Sequence, residues 1–336
     1  MRRRGLLAGA AMIAVGTLAL SGCTGAGEQQ ANEKTQVSVL LDWTPNPDHL
    51  ALYTAQHIGA YDEAGLAVDL QTPGNTADAA KQVSLGQVDL AVSYEPDTLI
   101  AAGEGLDVVS VAALVPTALT SLTYRDDAGI SGVADLAGKQ LGISGLASQQ
   151  PTIDYIARQA GIDPSSIETV NLQQGINQAL IAGTVPATFG AFVNIDGVEL
   201  ADSGDFTSVP VTELGVPDYD ELVIIAQKSR LESDPDYAQR VRDFLSATAK
   251  GQQAAREDAS QAVAGLAEVT DGVYSEDLLA RMVDATLAAV PEDWSFGQQS
   301  PEQWQTYATW MRENDLLSTD VDGATAVTTE YVPSAG

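Results

Sequence analysis

Short apolar runs alternate with amphipathic stretches over most of the chain, from residue 36 to residue 227. The runs have the length of buried strands, and the stretches between them repeat apolar residues at helical spacing. This alternation predicts βαβ units, in which parallel strands are joined by right-handed helical connections. The predicted strands are 36–42, 67–71, 88–92, 107–115, 119–124, 139–144, 167–172, 187–193, 209–212 and 221–227. The predicted helices among them are 49–59, 75–85, one ending at 102, 151–159 and 177–181.

The rest of the chain, 236–314, is predicted to be helical, with breaks at Gly272, Pro291 and Gly297. Two α/β domains in series and a discontinuous arrangement are both compatible with this order of elements. The discontinuous arrangement is favoured, because the helical tail needs a sheet to cover and the first sheet would otherwise have exposed faces. The predicted division is lobe 1 over 36–123 and 224–336, and lobe 2 over 124–223.

The loop after the first predicted strand is rich in polar and aromatic residues that could bind a ligand. Pro45 and Pro47 prevent the strand from continuing, and Asp48 is expected to cap the helix that follows. A strand, a stiff loop and a helix N-terminus together form the place where open α/β sheets bind ligands. One aromatic surface among polar side chains is typical of a pocket for a flat heterocycle, although Trp43 in a core and Asn46 in a turn remain the alternative. The polar and aromatic residues of this loop are Asp42, Trp43, Asn46, Asp48 and His49.

The N-terminus has the pattern of an export signal. Three arginines at 2–4 precede an apolar run over 6–20, which ends at Leu-Ser-Gly-Cys. This ending resembles a bacterial lipobox, so 1–22 is predicted to be a cleaved lipoprotein signal peptide and Cys23 the lipid-bearing residue. The small polar segment 23–35 is predicted to be a flexible tether. Cys23 is the single cysteine, and two histidines without cysteine do not predict a zinc site.

The net charge of the chain limits the classes of molecule that it is expected to bind. The chain of 336 residues carries 16 Lys and Arg against 46 Asp and Glu, a formal net charge of −30. Such an acidic chain is not expected to bind nucleic acid, because like charges repel. Five loops at predicted strand C-termini hold several acids and contain no lysine or arginine, so their ligand is expected to be neutral or cationic and to donate hydrogen bonds. These loops are 42–49, 93–97, 144–150, 190–197 and 216–223.

Several segments, in consistent order, resemble solute-binding proteins of ABC importers. Within that class they are most similar to the branch that binds thiamine-pyrimidine precursors, hydroxymethylpyrimidine or its formylamino relative. An aminopyrimidine also satisfies the charge argument, because its ring stacks and its amino group donates; an oligosaccharide is a less favoured alternative. The segments are LDWTPN at 41–46, YDEAGL at 61–66, GQVDL at 86–90, AGKQLG at 137–142 and PDYDEL at 217–222.

The resemblance implies an α/β, type II periplasmic-binding fold, with two lobes joined by two crossings and the ligand between them. We further expect a monomeric, extracytoplasmic protein, lipid-anchored to the cell membrane through Cys23, that delivers its solute to a permease and its ATPase and needs neither metal nor cofactor. Trp43 is the predicted stacking platform and Tyr94 the second face of the ring sandwich. The predicted ligand-binding residues are Trp43, Asn46, His49, Tyr94, Glu95, Ser148, Asn194, Asp196, Tyr219 and Glu221.

Alternatives remain open for some residues and for the function. Glu95 is equally compatible with a helix N-terminal acid. Ser144, Gly145 and Ser148 form a small loop before a helix N-terminus that can offer N–H donors, but Gly145 is equally compatible with a simple turn. A binding protein for riboflavin or a sulfonate such as taurine is the alternative within the import class. Catalysis is not expected: fungal pyrimidine synthases share the fold, but the positions of their lysine and histidine fall on Ser93 and Asp97 here.

Overall fold

Two five-stranded sheets form the framework of residues 34–333, which are the residues that the computed structural model describes. The strands are β1 (Thr35–Leu40), β2 (Leu66–Gln71), β3 (Leu90–Ser93), β4 (Val109–Val115), β5 (Thr120–Arg125), β6 (Gln140–Ile143), β7 (Glu168–Asn171), β8 (Ala187–Phe192), β9 (Phe206–Pro210) and β10 (Leu222–Ala226). The first sheet has the order β2-β1-β3-β10-β4 and the second the order β7-β6-β8-β5-β9. β10 and β5 run antiparallel to their neighbours, and the remaining pairs are parallel.

Helices flank both sheets. They are α1 (Leu50–His57), α2 (Ala60–Glu63), α3 (Ala79–Ser84), α4 (Glu95–Gly103), α5 (Gln149–Gln159), α6 (Ile176–Ile181), α7 (Asp196–Ser203), α8 (Lys228–Ser233), α9 (Pro235–Glu257), α10 (Ala259–Thr270), α11 (Glu276–Ala289) and α12 (Pro301–Glu313). The predicted helical tail, 236–314, corresponds to α9 to α12, and α8 before it was not predicted. The sequence missed one break, at Asp258, which caps α10 by accepting from the amide of Ser260.

The chain passes twice between the sheets. The first crossing, 116–119, joins β4 to β5, and the second, 211–221, joins β9 to β10. The lobe boundaries predicted at 123/124 and 223/224 therefore lie inside β5 and β10. Because each strand belongs to one sheet, the boundaries between the lobes lie in the crossings instead. The residue alternation of a strand shows which face is buried but not which sheet the strand joins. We call the parts around the first and second sheets lobe 1 and lobe 2.

The tail packs on lobe 1. Phe244 of α9 belongs to the same buried cluster as Val37 and Val39 of β1. α9 also approaches α1 closely, since a Cβ added at Gly251 would lie 2.2 Å from the carbonyl oxygen of Ala51. The first sheet is thus covered by helices from the far end of the chain, which fixes the loops at its strand ends.

The predictions for the N-terminus concern residues outside the described range. The signal peptide over 1–22 and the lipidated Cys23 lie wholly before it, and the predicted tether over 23–35 reaches one residue into β1, which begins at Thr35. Within 34–333, no helix combines the length and apolar character needed to cross a membrane.

Candidate functional site

A cavity lies between the lobes, where loops at the strand ends of both sheets meet. Seven of the ten residues predicted to bind a ligand line this interlobe cavity: Trp43, Asn46, Tyr94, Ser148, Asp196, Tyr219 and Glu221. The structure places the other three, His49, Glu95 and Asn194, behind the lining, where each is buried and bonded to protein groups. No lysine, arginine or histidine is among the residues that line the cavity in the described part of the chain.

Trp43 and Asn46 enter the cavity from the loop after β1. Trp43 is partly exposed and lines the cavity, so it is not a core residue. Asp48 was predicted to cap the helix, but Asn46 caps a short 3-10 turn over Pro47–His49 that precedes α1: its Oδ1 accepts from the amide of Asp48 at 2.9 Å. Its Nδ2 donates to the carbonyl of Thr44 at 3.1 Å. Asn46 therefore shapes its own turn, which was the alternative interpretation, while presenting the turn to the cavity.

His49 orients Asp42 rather than facing the cavity. Its Nδ1 accepts from the amide of Asn46 at 3.3 Å, which assigns the proton to Nε2, and Nε2 donates to Asp42 Oδ1 at 2.7 Å. Tyr94 donates its hydroxyl to Asp42 Oδ2, also at 2.7 Å. Burial acts to raise the pKa of Asp42, but the neighbouring His49 and the two hydrogen bonds outweigh it and lower the pKa. Asp42 is thus an anion held in place by two donors.

Glu95 is the first residue of α4 and has no exposed surface. Its Oε2 accepts from the amide of Asp220 at 2.8 Å, and Gln303 donates to both of its oxygens at 3.3 Å. Burial raises its pKa well above the ordinary range. The interpretation as a helix N-terminal acid fits these contacts, and its predicted role as acceptor for a ligand does not. Two residues further along α4, Asp97 lines the cavity instead.

Asn194 joins the lobes. Its Nδ2 donates to Asp48 Oδ1 at 2.6 Å and to the hydroxyl of Thr286 at 2.7 Å. Both acceptors belong to lobe 1, whereas Asn194 follows β8 of lobe 2. Asn194 was predicted to contact the ligand from lobe 2. In the structure its side-chain amide instead makes a contact between the two lobes. Burial raises the pKa of Asp48 well above its ordinary range.

Glu221 joins the two crossings. Its Oε2 accepts from the amides of Leu119 and Thr120, at 2.6 and 2.8 Å, and from the hydroxyl of Tyr219 at 3.2 Å. Burial raises the pKa of Glu221 to about 7. Asp196 is held similarly, by the amide of Phe192, and burial raises its pKa to about 6.

The aromatic lining is richer than the sequence indicated. Tyr307, in the helical tail, tilts against Tyr219 with ring centroids 5.2 Å apart. Nothing in the periodicity of α12 distinguishes Tyr307 from Trp304, which is buried and donates to Asp220 Oδ2 at 2.8 Å. Only Tyr274 could have been suspected from the sequence to line the cavity, because it lies beside the predicted helix break at Gly272. The aromatic lining residues that the prediction missed are Phe189, Phe192, Tyr274 and Tyr307.

Comparison with known proteins identifies the family. Residues 46–262 match the family model described as NMT1/THI5 like. The chain belongs to the NMT1/THI5-like family. A similar protein, the formylaminopyrimidine-binding protein of Halalkalibacterium halodurans, is 28% identical over 85% of this chain and 87% of its own length. The family also contains enzymes: the 4-amino-5-hydroxymethyl-2-methylpyrimidine phosphate synthase of Legionella pneumophila is 32% identical, over 50% of this chain and 52% of its own length.

Solved structures establish the fold of this NMT1/THI5-like chain. The alkanesulfonate-binding protein SsuA from Xanthomonas axonopodis pv. citri, bound to MOPS, superposes with a TM-score of 0.69. The two share 18% identity, and the match covers 88% of this chain and 99% of that one. At this identity the likeness concerns the fold, and the predicted type II periplasmic-binding fold is confirmed.

Ser93 and Asp97 are the positions predicted from the resemblance to correspond to the lysine and histidine of the synthases. Ser93 ends β3, is buried, and accepts a long hydrogen bond of 3.5 Å from the hydroxyl of Thr98. Asp97 lines the interlobe cavity and contacts Ser148 of lobe 2. Within 34–333, no group of three or more His, Cys, Asp or Glu residues is arranged to hold a metal ion.

Proposed function

We propose that this protein is the extracytoplasmic solute-binding component of an ABC importer, and that it captures an aminopyrimidine precursor of thiamine between its lobes. The observation that carries the proposal is the lining of the interlobe cavity. It combines the partly exposed side chain of Trp43 with the carboxyl groups of Asp42, Asp97, Asp196 and Glu221, and no cationic side chain is among the described lining residues. Such a lining favours a flat guest that donates hydrogen bonds.

The relatives support the same class of ligand. The family relative that matches most of this chain is named for binding formylaminopyrimidine, and relatives that match about half of it are named for making a pyrimidine phosphate. From these names we infer a ligand with a pyrimidine ring and an amino group, and we propose that it binds in the interlobe cavity.

Simple energetics are compatible with useful affinity. Stacking on one aromatic ring contributes about 1 to 3 kcal/mol per base-like ring. Each hydrogen bond to a charged group adds about 1.5 to 3 kcal/mol. One ring held between Trp43 and a second aromatic residue, with two such bonds, approaches the roughly 8 kcal/mol of micromolar binding. Lobe closure around the solute follows from its better contacts in the closed state.

Binding without catalysis is part of the proposal. Ser93 has a hydroxyl in place of an amine that could form a Schiff base, and Asp97 is engaged with lobe 2. Incubation with pyridoxal 5′-phosphate is expected to give no lysine adduct at the cavity, read by absorbance after borohydride reduction and by peptide mass spectrometry. A reduced adduct on a lysine of the chain, together with pyrimidine formation, would replace the binding proposal by an enzymatic one.

Calorimetric titration tests the ligand class. We expect 4-amino-5-hydroxymethyl-2-methylpyrimidine or its formylamino relative to bind, and taurine and riboflavin not to bind. Trp43→Ala is expected to weaken binding by about 1 to 3 kcal/mol through the lost stacking. Trp294→Ala is the matched control, because Trp294 is partly exposed and lies outside the cavity lining. Binding of taurine without binding of either pyrimidine would contradict the proposal.

Export and anchoring complete the proposed function. We propose cleavage before Cys23, lipid attachment to that residue, and a monomer that docks on a membrane permease. The wild-type protein is expected to begin at a lipid-modified Cys23, and Cys23→Ala is expected to carry no lipid, measured by mass spectrometry of the purified proteins. A wild-type protein without lipid on Cys23 would contradict the lipid anchor and leave the ligand proposal unaffected.

A further inference from the structure

The N-terminal end of α5 faces the interlobe cavity and would ordinarily suit an anion. The backbone N–H groups at the start of a helix are unpaired within the helix and point towards the ligand, and the helix dipole favours negative charge there. The loop that leads into α5, from Gly145 to the N-cap residue Ser148, adds four backbone N–H groups in front of this helix end. A solute can hydrogen-bond to these N–H groups only where no acceptor of the protein already occupies them.

Gln149 takes the first two N–H groups. Its Oε1 accepts from the amides of Gly145 at 2.8 Å and Leu146 at 3.1 Å. Its Nε2 donates to the hydroxyl of Ser144 at 2.8 Å and to the carbonyl of Phe189 at 3.3 Å. The side-chain amide therefore makes four hydrogen bonds and is nearly fully buried, at 3% exposure.

Gly190 provides the space for this arrangement. A Cβ added there would lie 2.2 Å from Gln149 Nε2, and the backbone of Gly190 has a φ of +105°, which favours glycine. The close approach confines the Gln149 amide against β8. Its oxygen is consequently a fixed acceptor at the start of α5.

Asp97 takes the N–H group and the hydroxyl of Ser148, and it comes from the opposite lobe. Its Oδ1 accepts from the amide of Ser148 at 3.2 Å, and its Oδ2 accepts from the Ser148 hydroxyl at 2.6 Å. Burial raises the pKa of Asp97, although Ser148 and the nearby amide of Ala147 act to lower it. In the closed form, a carboxylate of lobe 1 thus occupies the anion position of a lobe 2 helix.

We propose that Asp97 and Gln149 are specificity-determining residues, which fill the anion position of α5 with acceptors of the protein itself and so exclude solutes that carry a phosphate or sulfonate. The inference rests on the proposed function in taking the interlobe cavity as the solute site, and it narrows the solute to an unphosphorylated compound. An anionic solute has to displace Asp97, break a contact that joins the lobes, and face Asp42, which two donors keep ionised. A neutral solute leaves all these contacts intact.

A paired titration tests the inference. The solutes are 4-amino-5-hydroxymethyl-2-methylpyrimidine and its phosphate ester, with inorganic phosphate and ethanesulfonate as simple anions. The wild-type protein is expected to bind the alcohol and to give no signal with the three anions. In Asp97→Ala, Gln149→Ala and the double variant, the affinity for the phosphate ester relative to the alcohol is expected to rise roughly tenfold or more, because N–H donors become free for the anion.

The ratio of the two affinities separates specificity from a general loss of closure, which weakens both solutes together. Asp154→Asn, which removes a charge from α5 outside the cavity lining, is expected to leave the ratio unchanged. Circular dichroism establishes that each variant is folded, and Asp97→Asn is the conservative variant if Asp97→Ala is not. Wild-type binding of the phosphate ester within about threefold of the alcohol would overturn the inference. An unchanged ratio in the folded variants would also overturn it.

Failure of the proposed function is distinguishable from failure of the inference. If neither pyrimidine compound binds to the wild-type protein, the aminopyrimidine proposal is wrong. The simple anions still test the role of Asp97 and Gln149, because Trp43 in the cavity lining reports their binding by its fluorescence. A response to ethanesulfonate or phosphate in the double variant, with none in the wild-type protein, supports the inference; the reverse result, or no response in either, overturns it.

Discussion

Glu221 illustrates how the buried acids of this protein act at the scale of single residues. The sequence predicted it as an acceptor for the ligand, because it lies in an acidic loop near the return crossing. The structure shows its oxygens already bonded to the amides of Leu119 and Thr120 and to two hydroxyl groups. Its first role is therefore to join backbone segments, and its raised pKa is a consequence of the burial that this role requires.

Glu221 makes stability depend on pH. In the unfolded chain its carboxyl group ionises near its ordinary pKa of 4.5, whereas burial keeps it protonated in the folded protein up to about pH 7. Its contribution is complete below pH 4.5 and is lost as the pH rises towards 7, so the free energy of unfolding falls by about 3 kcal/mol over this range. In Glu221→Gln this part of the dependence is expected to be absent, measured by urea unfolding at pH 4.5 and pH 7.5. An equal dependence in both proteins would contradict the assignment.

His49 and His57 form a natural pair for a second test. His49→Phe keeps a ring of similar size but leaves the buried Asp42 Oδ1 without its donor, and we expect a loss of about 1 to 3 kcal/mol in the free energy of unfolding. His57→Phe removes a partly exposed pair with Glu268 and is expected to cost about 0 to 1 kcal/mol. Chemical denaturation of both variants at neutral pH measures the difference. Equal losses would mean that the Asp42 contact has no special weight.

At the scale of elements, hydrophobic periodicity predicted the strands and most of the helices, because burial on one face repeats along each element. Local chemistry was harder to assign. Asp48 was predicted to be the helix cap, but Asn46, two residues earlier, caps a short turn over Pro47–His49 before α1, and that turn was not predicted. The helix predicted to open at Pro151 begins two residues earlier, with Gln149 in its first turn.

Hydrophobic periodicity could not predict which sheet a strand joins or which distant residue a side chain contacts. The residues that line the cavity come from strand ends that the sequence located, and this part of the site was predictable from where open sheets bind ligands. Whether a side chain such as Glu95 faces the cavity or the protein depends on a partner 125 positions away, at Asp220. The pattern of a single segment holds no information on that partner.

The contact between α1 and α9 is the element-scale feature most sensitive to one added methyl group. In Gly251→Ala, the new Cβ would lie 2.2 Å from Ala51 O and 2.5 Å from Ala55 N, so the two helices have to separate. We expect a loss of about 1 to 3 kcal/mol, although alanine favours helix. Thermal unfolding followed at 222 nm measures it. Ser246→Ala, at an exposed position of the same helix, is the control and is expected to change stability little.

At the scale of the whole molecule, the described conformation is closed. Hydrogen bonds join the lobes directly, among them those from Ser148 to Asp97 and from Asn194 to Asp48 and Thr286. Each of these contacts is made only when the lobes meet, so each favours the closed state over the open one.

Removing one such contact is expected to open the molecule. Asn194→Ala loses both interlobe bonds of its Nδ2 and should raise the radius of gyration in solution, measured by small-angle X-ray scattering without solute. The apparent affinity for the solute should fall at the same time, because a smaller fraction of the protein is competent to close. Gln253→Ala, on the exposed surface of α9, is the control. Unchanged scattering in Asn194→Ala would show that this contact does not govern closure.

The hydrogen bonds that the amides of Leu119 and Thr120 donate to Glu221 tie the two crossings to each other beside the cavity. Two separate flexible connectors would let one lobe slide, twist or tilt against its neighbour. Connectors tied side by side bend together, so their motion reduces to rotation about a single axis. Each opening of the molecule then follows the same path and exposes the same pair of inner surfaces to whatever receives the solute.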